Sequence, residues 1–328
     1  MGLFNGKCMS TARLDGKTAI VTGSNTGIGK VTAHDFVKRG ARVIMACRDL
    51  KKAQEAAEDI RQQTKDLQGA GVVRVVHLDL ASLTSVRKCS ELLLKTEPAI
   101  HLLINNAGIM ACPKALTEDG FEMQLGVNHL GHFLFTCLLL PRIIRSAPAR
   151  IVIVSSLVHQ LALNMNFDDL NSEKSYNATL AYAQSKLANV LFAKELGERL
   201  KGTGVTTYSL HPGVVATELS RHFSDSYFPG VTWLFNNVAR FVIKSPEQGA
   251  QTTIYCAVSE EVAEDTGFYY SECRKKMPSG KARNRDIAKR LWEESIRMVQ
   301  LTDWDPFTAE DKNPPSKPID IEEEIAAK

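Results

Sequence analysis

Cysteine is scarce in this chain of 328 residues, with 7 in all. The number is odd, and no two stand as C-x-x-C. A disulfide framework and a zinc site are both excluded on that pattern, and a reducing compartment is implied. The sequon Asn177-Ala178-Thr179 then goes unused. No run reaches the ~18 apolar residues of a membrane span. The stretches "FLFTCLLLP" and "VTWLFNNVARFVI" are too short or interrupted. The opening "MGLFNGKCMS" lacks the apolar segment of a secretory signal. Gly6 stands where myristoylation expects Ser or Thr. Cys8 remains a candidate for a lipid. Basic residues interleaved with aromatics are missing, so nucleic-acid binding has no footprint. There is no internal repeat and no G-x-S-x-G elbow. No His/Asp/Glu set has metal-ligand spacing, and His129, His132 and His211 read as core or capping histidines.

What is present is ordinary for a soluble globular protein, at 44% apolar and 23% charged residues. The net charge of +3 is unevenly spread. Residues 301–328 hold eight acids, three bases and four prolines, which predicts a loosely ordered acidic tail. The basic remainder suits anionic cofactors or membrane surfaces. The runs "TAIVTG", "ARVIMAC", "VVRVVHLD", "IHLLIN", "RIVIVSS" and "VTTYSLHP" read as strands apolar on both faces. Helical patterns lie between them, over 29–39, 50–68, 82–96, 129–145 and 179–201. The alternation predicts one α/β domain over residues 14–300, after a lead of 1–13. Its core is a Rossmann-type, doubly wound parallel sheet of about seven strands with helices on both faces. Residues 213–245 break the rhythm and are expected to cap a ligand crevice.

"TGSNTGIG", Thr22 to Gly29, follows a strand and opens a helix. That is the context of a phosphate-binding turn. Gly23, Gly27 and Gly29 allow close backbone approach, and the helix start offers free N–H donors and a positive dipole end. The alternative is a glycine-rich turn without a ligand. Further on, Tyr182 and Lys186 stand four apart on an otherwise apolar helix and so share a face. A phenol ionises near pH 10 in water, and an adjacent ammonium is expected to lower that value. Tyr182 is then suited to exchange a proton with a carbonyl or alcohol oxygen. The alternative is a packed ring beside a lysine that snorkels outward.

The spacing G-x-x-x-G-x-G resembles the short-chain dehydrogenase/reductase superfamily. "NNAG" (Asn105 to Gly108), "GVNHLGHF", "IVIVSS", Tyr182-x-x-x-Lys186 and "HPG" (His211 to Gly213) follow in that family's order. "ACRD", "LDLASL", "SKLANVLFAKEL" and "GTGVTTYSLHPGVV" resemble, within it, the NADP-preferring retinol dehydrogenases. The likeness runs over about residues 14–300.

The resemblance implies catalytic Tyr182, Lys186, Ser156 and Asn128. Lys186 would also hold the nicotinamide ribose, Ser156 the substrate oxygen, and Asn128 a water leading from Lys186 to solvent. Ser155 competes with Ser156, and the family pattern favours the second serine. Cofactor contacts would come from Gly23, Ser24, Asn25, Thr26, Gly27, Ile28 and Gly29, from Asn106 and Gly108 by the adenine-ribose, and from Pro212, Gly213 and Thr217 by the carboxamide. Asp79 would bond the adenine amine or cap the next helix. Where NAD binding wants an acid, the second strand ends in Cys47 and Arg48, and a guanidinium suits a 2′-phosphate, so NADP(H) is favoured over NAD(H). Lys30 is a further candidate charge. Asp49 is either that acid in a shifted register or a helix cap. The stretch "NMNFDDLNSEKSYN" lengthens the interval from Ser156 to Tyr182 and is expected to loop over the sheet edge near the substrate mouth.

The expected function is NADP(H)-dependent interconversion of an apolar alcohol and its aldehyde or ketone, with retinol and retinal as first guess. The aromatics Phe223, Tyr227, Phe228, Trp233 and Phe235 in the cap motivate the apolar substrate. Steroid, other lipid and xenobiotic carbonyls are the alternative substrates. A non-catalytic NADP-binding scaffold and a sugar-nucleotide epimerase are the rival classes. The expected address is cytoplasmic, without a transmembrane anchor, with peripheral contact at the endoplasmic reticulum surface left open. A homodimer is left open as well.

Overall fold

The computed structural model describes residues 6–215, 244–312, 314–321 and 324. Most of the 213–245 cap, its aromatics and Thr217 lie outside the described residues. Seven strands run parallel: β1 (Thr18–Thr22), β2 (Arg42–Cys47), β3 (Val72–His77), β4 (Leu102–Asn105), β5 (Ala149–Val154), β6 (Val205–Leu210) and β7 (Phe268–Ser271). Their spatial order is β3-β2-β1-β4-β5-β6-β7. The order reverses between β1 and β4, and that is where a doubly wound sheet opens its ligand crevice.

An eighth strand, β8 (Arg274–Lys276), pairs antiparallel with β7. Its three residues are charged and exposed, so it carries no apolar signal. It exists because Glu272 and Cys273, at φ +56° and +52°, reverse the chain and let the backbone of β7 pair.

Seven longer or shorter helices matter to the site. They are α1 (Gly27–Lys38), α2 (Leu50–Thr64), α3 (Leu83–Thr96), the short α4 (Met123–Leu125), α5 (Gly131–Arg145), α6 (Ala178–Arg199) and α7 (Pro246–Val258). A C-terminal helix, α8 (Arg285–Met298), completes the set. Strand alternation sends Ala19, Val21, Val43 and Met45 toward Phe36 of α1 and Ile254 of α7. Ile20 and Ile44 face the opposite side, with Val86, Phe133 and Leu187. Both faces are therefore dry, as the continuous apolar strands required. Side-chain caps fix several helix starts: Asp49 accepts from Lys52 N–H at 3.1 Å, which settles its role as a cap.

Three expectations change. The acidic tail is not loose over its described part. Asp311 pairs with the buried Arg142 at 2.6 Å, and Ile321 is buried. Phe307 stacks 5.6 Å from Trp292, and the Arg199 guanidinium lies 4.7 Å over the Trp292 ring. Composition registers only the acids, whereas the fold uses one of them to neutralise a buried cation. Cys8 is buried and its thiol is pushed up by that burial, so it is not presented for a lipid. The stretch 164–177 lies across the start of α6 rather than over a sheet edge. Asn166 N–H donates to Gln184 Oε1 at 3.1 Å, and Gln124 Nε2 donates to the Tyr176 hydroxyl at 3.0 Å. Among the described residues, Met123–Arg145 is the one helical stretch long and apolar enough to cross a membrane, and 89% of that window is buried within the fold.

Candidate active site

The turn after β1 is shaped by residues that few side chains could replace. Gly23 and Gly27 adopt φ +61° and +55°, a region that favours glycine. A Cβ on Gly29 would come within 2.5 Å of Asn106 Nδ2 and 2.6 Å of the Gly23 carbonyl. Asn106 donates to the Thr22 and Gly23 carbonyls at 2.8 and 3.2 Å, so it holds the turn in place. Ser24 points inward and donates to the Val21 carbonyl at 2.9 Å. Asn25 and Thr26 stay partly open, and Ile28 packs toward Gly249. The Thr26 side chain makes no cap bond to α1. The first amides of that helix are thus left for an anion at the positive end of the dipole.

At the end of β2, Cys47 is buried 3.6 Å from Ser24 Oγ and offers no carboxylate to a ribose. Arg48 is exposed and has no hydrogen-bond or ion-pair partner among the described residues. Lys30 is not available in the same way, because its ammonium pairs with Asp59 at 2.6 Å. The donor set fits a pyrophosphate at α1 and a second phosphate at Arg48. Asp79 spends one carboxylate oxygen on the Ala81 N–H at 2.9 Å, while Ser82 itself caps α3. Gly213 takes φ +89° beside the aliphatic end of Lys244, which pairs with Glu272; Pro212 precedes it, partly buried.

The catalytic candidates come together from three elements. Ser156 ends the β5 segment, Asn128 sits in a π-helical turn over Gly126–Leu130, and Tyr182 and Lys186 lie one turn apart on α6. A π-turn is a common device for re-aiming a side chain at a functional site. The Ser156 hydroxyl lies near enough to the Tyr182 phenol to favour its charged form, and it accepts from Val158 N–H at 3.2 Å. Lys186 Nζ donates to the Val154 carbonyl at 3.2 Å and lies 5.7 Å from the centre of the Tyr182 ring. Gly108 packs against the same group: a Cβ there would sit 3.3 Å from Lys186 Nζ and 3.2 Å from Asn128 Oδ1. The Asn128 amide is committed, accepting from Ile109 N–H at 2.9 Å and donating to the Ser185 hydroxyl at 2.9 Å. Ser155, the competitor of Ser156, turns away and donates to the Lys186 carbonyl at 2.6 Å.

One electrostatic expectation is overturned here. The phenol of Tyr182 is not lowered but pushed up to about 12, because burial opposes its charge more than the nearby Ser156 hydroxyl favours it. Burial likewise pulls the Lys186 ammonium down to about 8. At neutral pH the phenol is a proton donor beside a largely protonated lysine. That pair can deliver a proton to an oxygen held by Ser156.

Sequence reading missed the partners that hold this set. Ser185 lies between Tyr182 and Lys186 and ties α6 to Asn128. His159 Nδ1 bonds the Ser156 carbonyl at 2.7 Å, while its Nε2 accepts from Ser279 N–H at 3.2 Å. Only the position of His159, three residues past Ser156, hinted at it.

Known proteins resemble this arrangement along most of the chain. Retinol dehydrogenase 11 of Homo sapiens is 50% identical over 299 residues, covering 91% of each chain. Retinol dehydrogenase 13 of Homo sapiens is 49% identical over 304 residues, 90% of this chain and 88% of that one. Among solved structures, an uncharacterized protein from Mycobacterium Paratuberculosis superposes with a TM-score of 0.71 at 34% identity, over 90% of this chain and 98% of its own. A structure assigned as an NAD(P) dependent gluconate 5-dehydrogenase from Beutenbergia cavernae, with bound NADP, gives 0.62 at 25% identity, over 79% and 96%. The profile described as short chain dehydrogenase matches residues 17–227, which include the glycine turn and the tyrosine–lysine pair alike. On that match over most of the chain, and on relatives half identical along nine-tenths of it, this chain belongs to the short-chain dehydrogenase family.

Proposed function

We propose that this chain is an NADP(H)-dependent oxidoreductase that interconverts an apolar alcohol and its aldehyde or ketone, with retinol and retinal as the first substrates to try. The observation that carries this reading is the buried Tyr182–Lys186 pair, with the ammonium 5.7 Å from the centre of the phenol ring and bonded to the Val154 carbonyl at the end of β5. NADP(H), when bound, supplies or accepts the hydride. The α1 amides and the turn from Gly23 to Gly29 are suited to its pyrophosphate, and Arg48 to its 2′-phosphate. The relatives named retinol dehydrogenase and the NADP-bound neighbour support the substrate class and the cofactor.

The remaining steps belong to the protein. Ser156 orients the substrate oxygen, and Tyr182 gives it a proton in reduction or takes one in oxidation. Lys186, Asn128 and Gly108 hold the neighbouring wall. Such chemistry needs a small-molecule substrate and no nucleic acid.

For location we infer a cytoplasmic enzyme with peripheral contact at the endoplasmic reticulum surface. Leu163 and Met277 are 78% and 73% exposed, and Arg274 and Lys276 of β8, just before Met277, are exposed and have no ion-pair partner among the described residues. Lys281 Nζ joins the two segments through the Ala162 carbonyl at 3.3 Å. An apolar patch with basic neighbours suits an anionic lipid surface. A homodimer through α6 would need the face that Trp292 and Phe307 already cover, so we favour a single chain.

Turnover with NADPH over a panel of retinal, steroid, other lipid and xenobiotic carbonyls tests the reading. Retinal should lead the panel. Equal or better use of small polar ketones would remove the retinoid assignment.

A further inference from the structure

His132, on the first turn of α5, is fully enclosed yet both of its ring nitrogens are engaged. Nε2 lies 2.8 Å from Thr22 Oγ1, and Nδ1 lies 3.1 Å from the Asn128 carbonyl. The proton positions follow from counting donors. Thr22 Oγ1 already accepts from Ala107 N–H at 3.0 Å and from Asn106 N–H at 2.9 Å, the latter shared with the Ile104 carbonyl at 3.0 Å. A hydroxyl has two lone pairs and one proton, so its proton must be given away. His132 Nε2 at 2.8 Å is a nearer acceptor than the Ile104 carbonyl at 3.4 Å. Nε2 is therefore bare, and Nδ1 carries the proton that goes to the Asn128 carbonyl.

We infer that His132, held as the neutral Nδ1–H tautomer, is a positioning residue that links the cofactor turn to the catalytic π-turn. One edge of the ring fixes Thr22, which in turn gathers the Asn106 and Ala107 amides against the start of the glycine turn. The other edge fixes the carbonyl of Asn128, whose amide reaches Ile109 and Ser185. A protonated imidazole would place an N–H against a hydroxyl with no free lone pair. An apolar ring would leave the Thr22 proton only the Ile104 carbonyl at 3.4 Å and would take from the Asn128 carbonyl its side-chain donor. The role rests on the reaction proposed above, but the tautomer and its effect on cofactor affinity can be read without turnover.

The test uses the full chain with three substitutions. In His132→Asn the side-chain amide can replace the Nδ1–H donor to Asn128 but does not reach Thr22. In His132→Gln the carbonyl can accept from Thr22, but no donor reaches Asn128. His132→Phe supplies neither. NADPH dissociation constants by calorimetry should rise roughly tenfold in Asn and stay near wild type in Gln. With retinal and NADPH, kcat should fall roughly tenfold in Gln and stay near wild type in Asn. Nitrogen-15 spectra of the labelled wild type should show His132 as the neutral Nδ1–H form at pH 7. An Nε2–H or cationic form overturns the proposal. So does a parallel loss of affinity and kcat in Asn and Gln that tracks a fall in Tm. If His132→Phe does not fold, the Asn and Gln pair decides. If no variant and no wild type turns over any carbonyl, the reaction is wrong, and the spectra with the NADPH affinities still judge His132.

Discussion

The Lys186 ammonium lies 5.7 Å from the centre of the Tyr182 ring and gives its hydrogen bond to the Val154 carbonyl, at 3.2 Å. The two side chains share a wall without touching head to head. Ser156 is the side chain that acts on the phenol to favour its charge.

In the proposed reaction Tyr182 is the proton donor and Lys186 a neighbour acting through space. Tyr182→Phe is expected to lower kcat by about 10²–10⁴, the usual worth of a positioned acid–base group. NADPH affinity should change little. Steady-state kinetics with calorimetric cofactor titration checks both. A variant with near-normal turnover would show that the phenol does not handle the proton, and a non-catalytic scaffold would become the better account.

Arg48 is the exposed cation at the end of β2 where an acid would serve NAD. Arg48→Ala should weaken NADPH binding about 10- to 100-fold, the scale of a lost charged hydrogen bond, and leave NADH binding near its original value. Competitive titration of the two cofactors measures this. Equal losses for both would place the 2′-phosphate elsewhere.

His129 and His132 are buried and neutral, with burial pulling them from 6.5 down to about 3 and about 4. Unfolding raises both to their ordinary value, so between pH 6.5 and 4 the unfolded chain binds more protons. Stability is therefore full above about pH 6.5 and declines as pH falls through that window. At pH 5 the loss is about 2 kcal/mol for each histidine. Urea midpoints at pH 7.5 and pH 5 should show the decline. A flat profile would mean that water reaches these rings.

The patch of Leu163, Met277, Arg274 and Lys276 gives a separate expectation. The chain should sediment with vesicles containing phosphatidylserine and much less with neutral ones. Reversing both charges, R274E with K276E, should cut vesicle binding by about tenfold or more, at about 1 kcal/mol per basic residue near the surface. Activity on a water-soluble aldehyde should stay unchanged. Equal sedimentation of wild type and variant would remove the membrane contact.

Much of this protein is legible in its sequence because the relevant signals are local. Strand β1, the turn through Gly29 and α1 form one contiguous stretch, where apolar run, glycine and helix start each have their own physical cause. Tyr182 and Lys186 needed only the helical period to share a face. Cys47 and Arg48 needed only the end of a strand. Asp49 read more readily as a cap than as the acid, and its bond to the Lys52 N–H bears that out.

Other features depended on residues far apart in the chain. Tyr182 and Lys186 are both moved toward their neutral forms by enclosure, and no spacing rule reports enclosure. Asp311 looked like tail composition until Arg142, 169 positions earlier, closed on it. His132 looked like filler until Thr22, 110 positions away, donated to its ring. β8 has no pattern of its own and forms because β7 offers it a free backbone edge. Periodicity and turn chemistry act between near neighbours, so a sequence displays them directly. Desolvation and buried hydrogen bonds arise only when distant segments exclude water together, and the tertiary structure alone decides those.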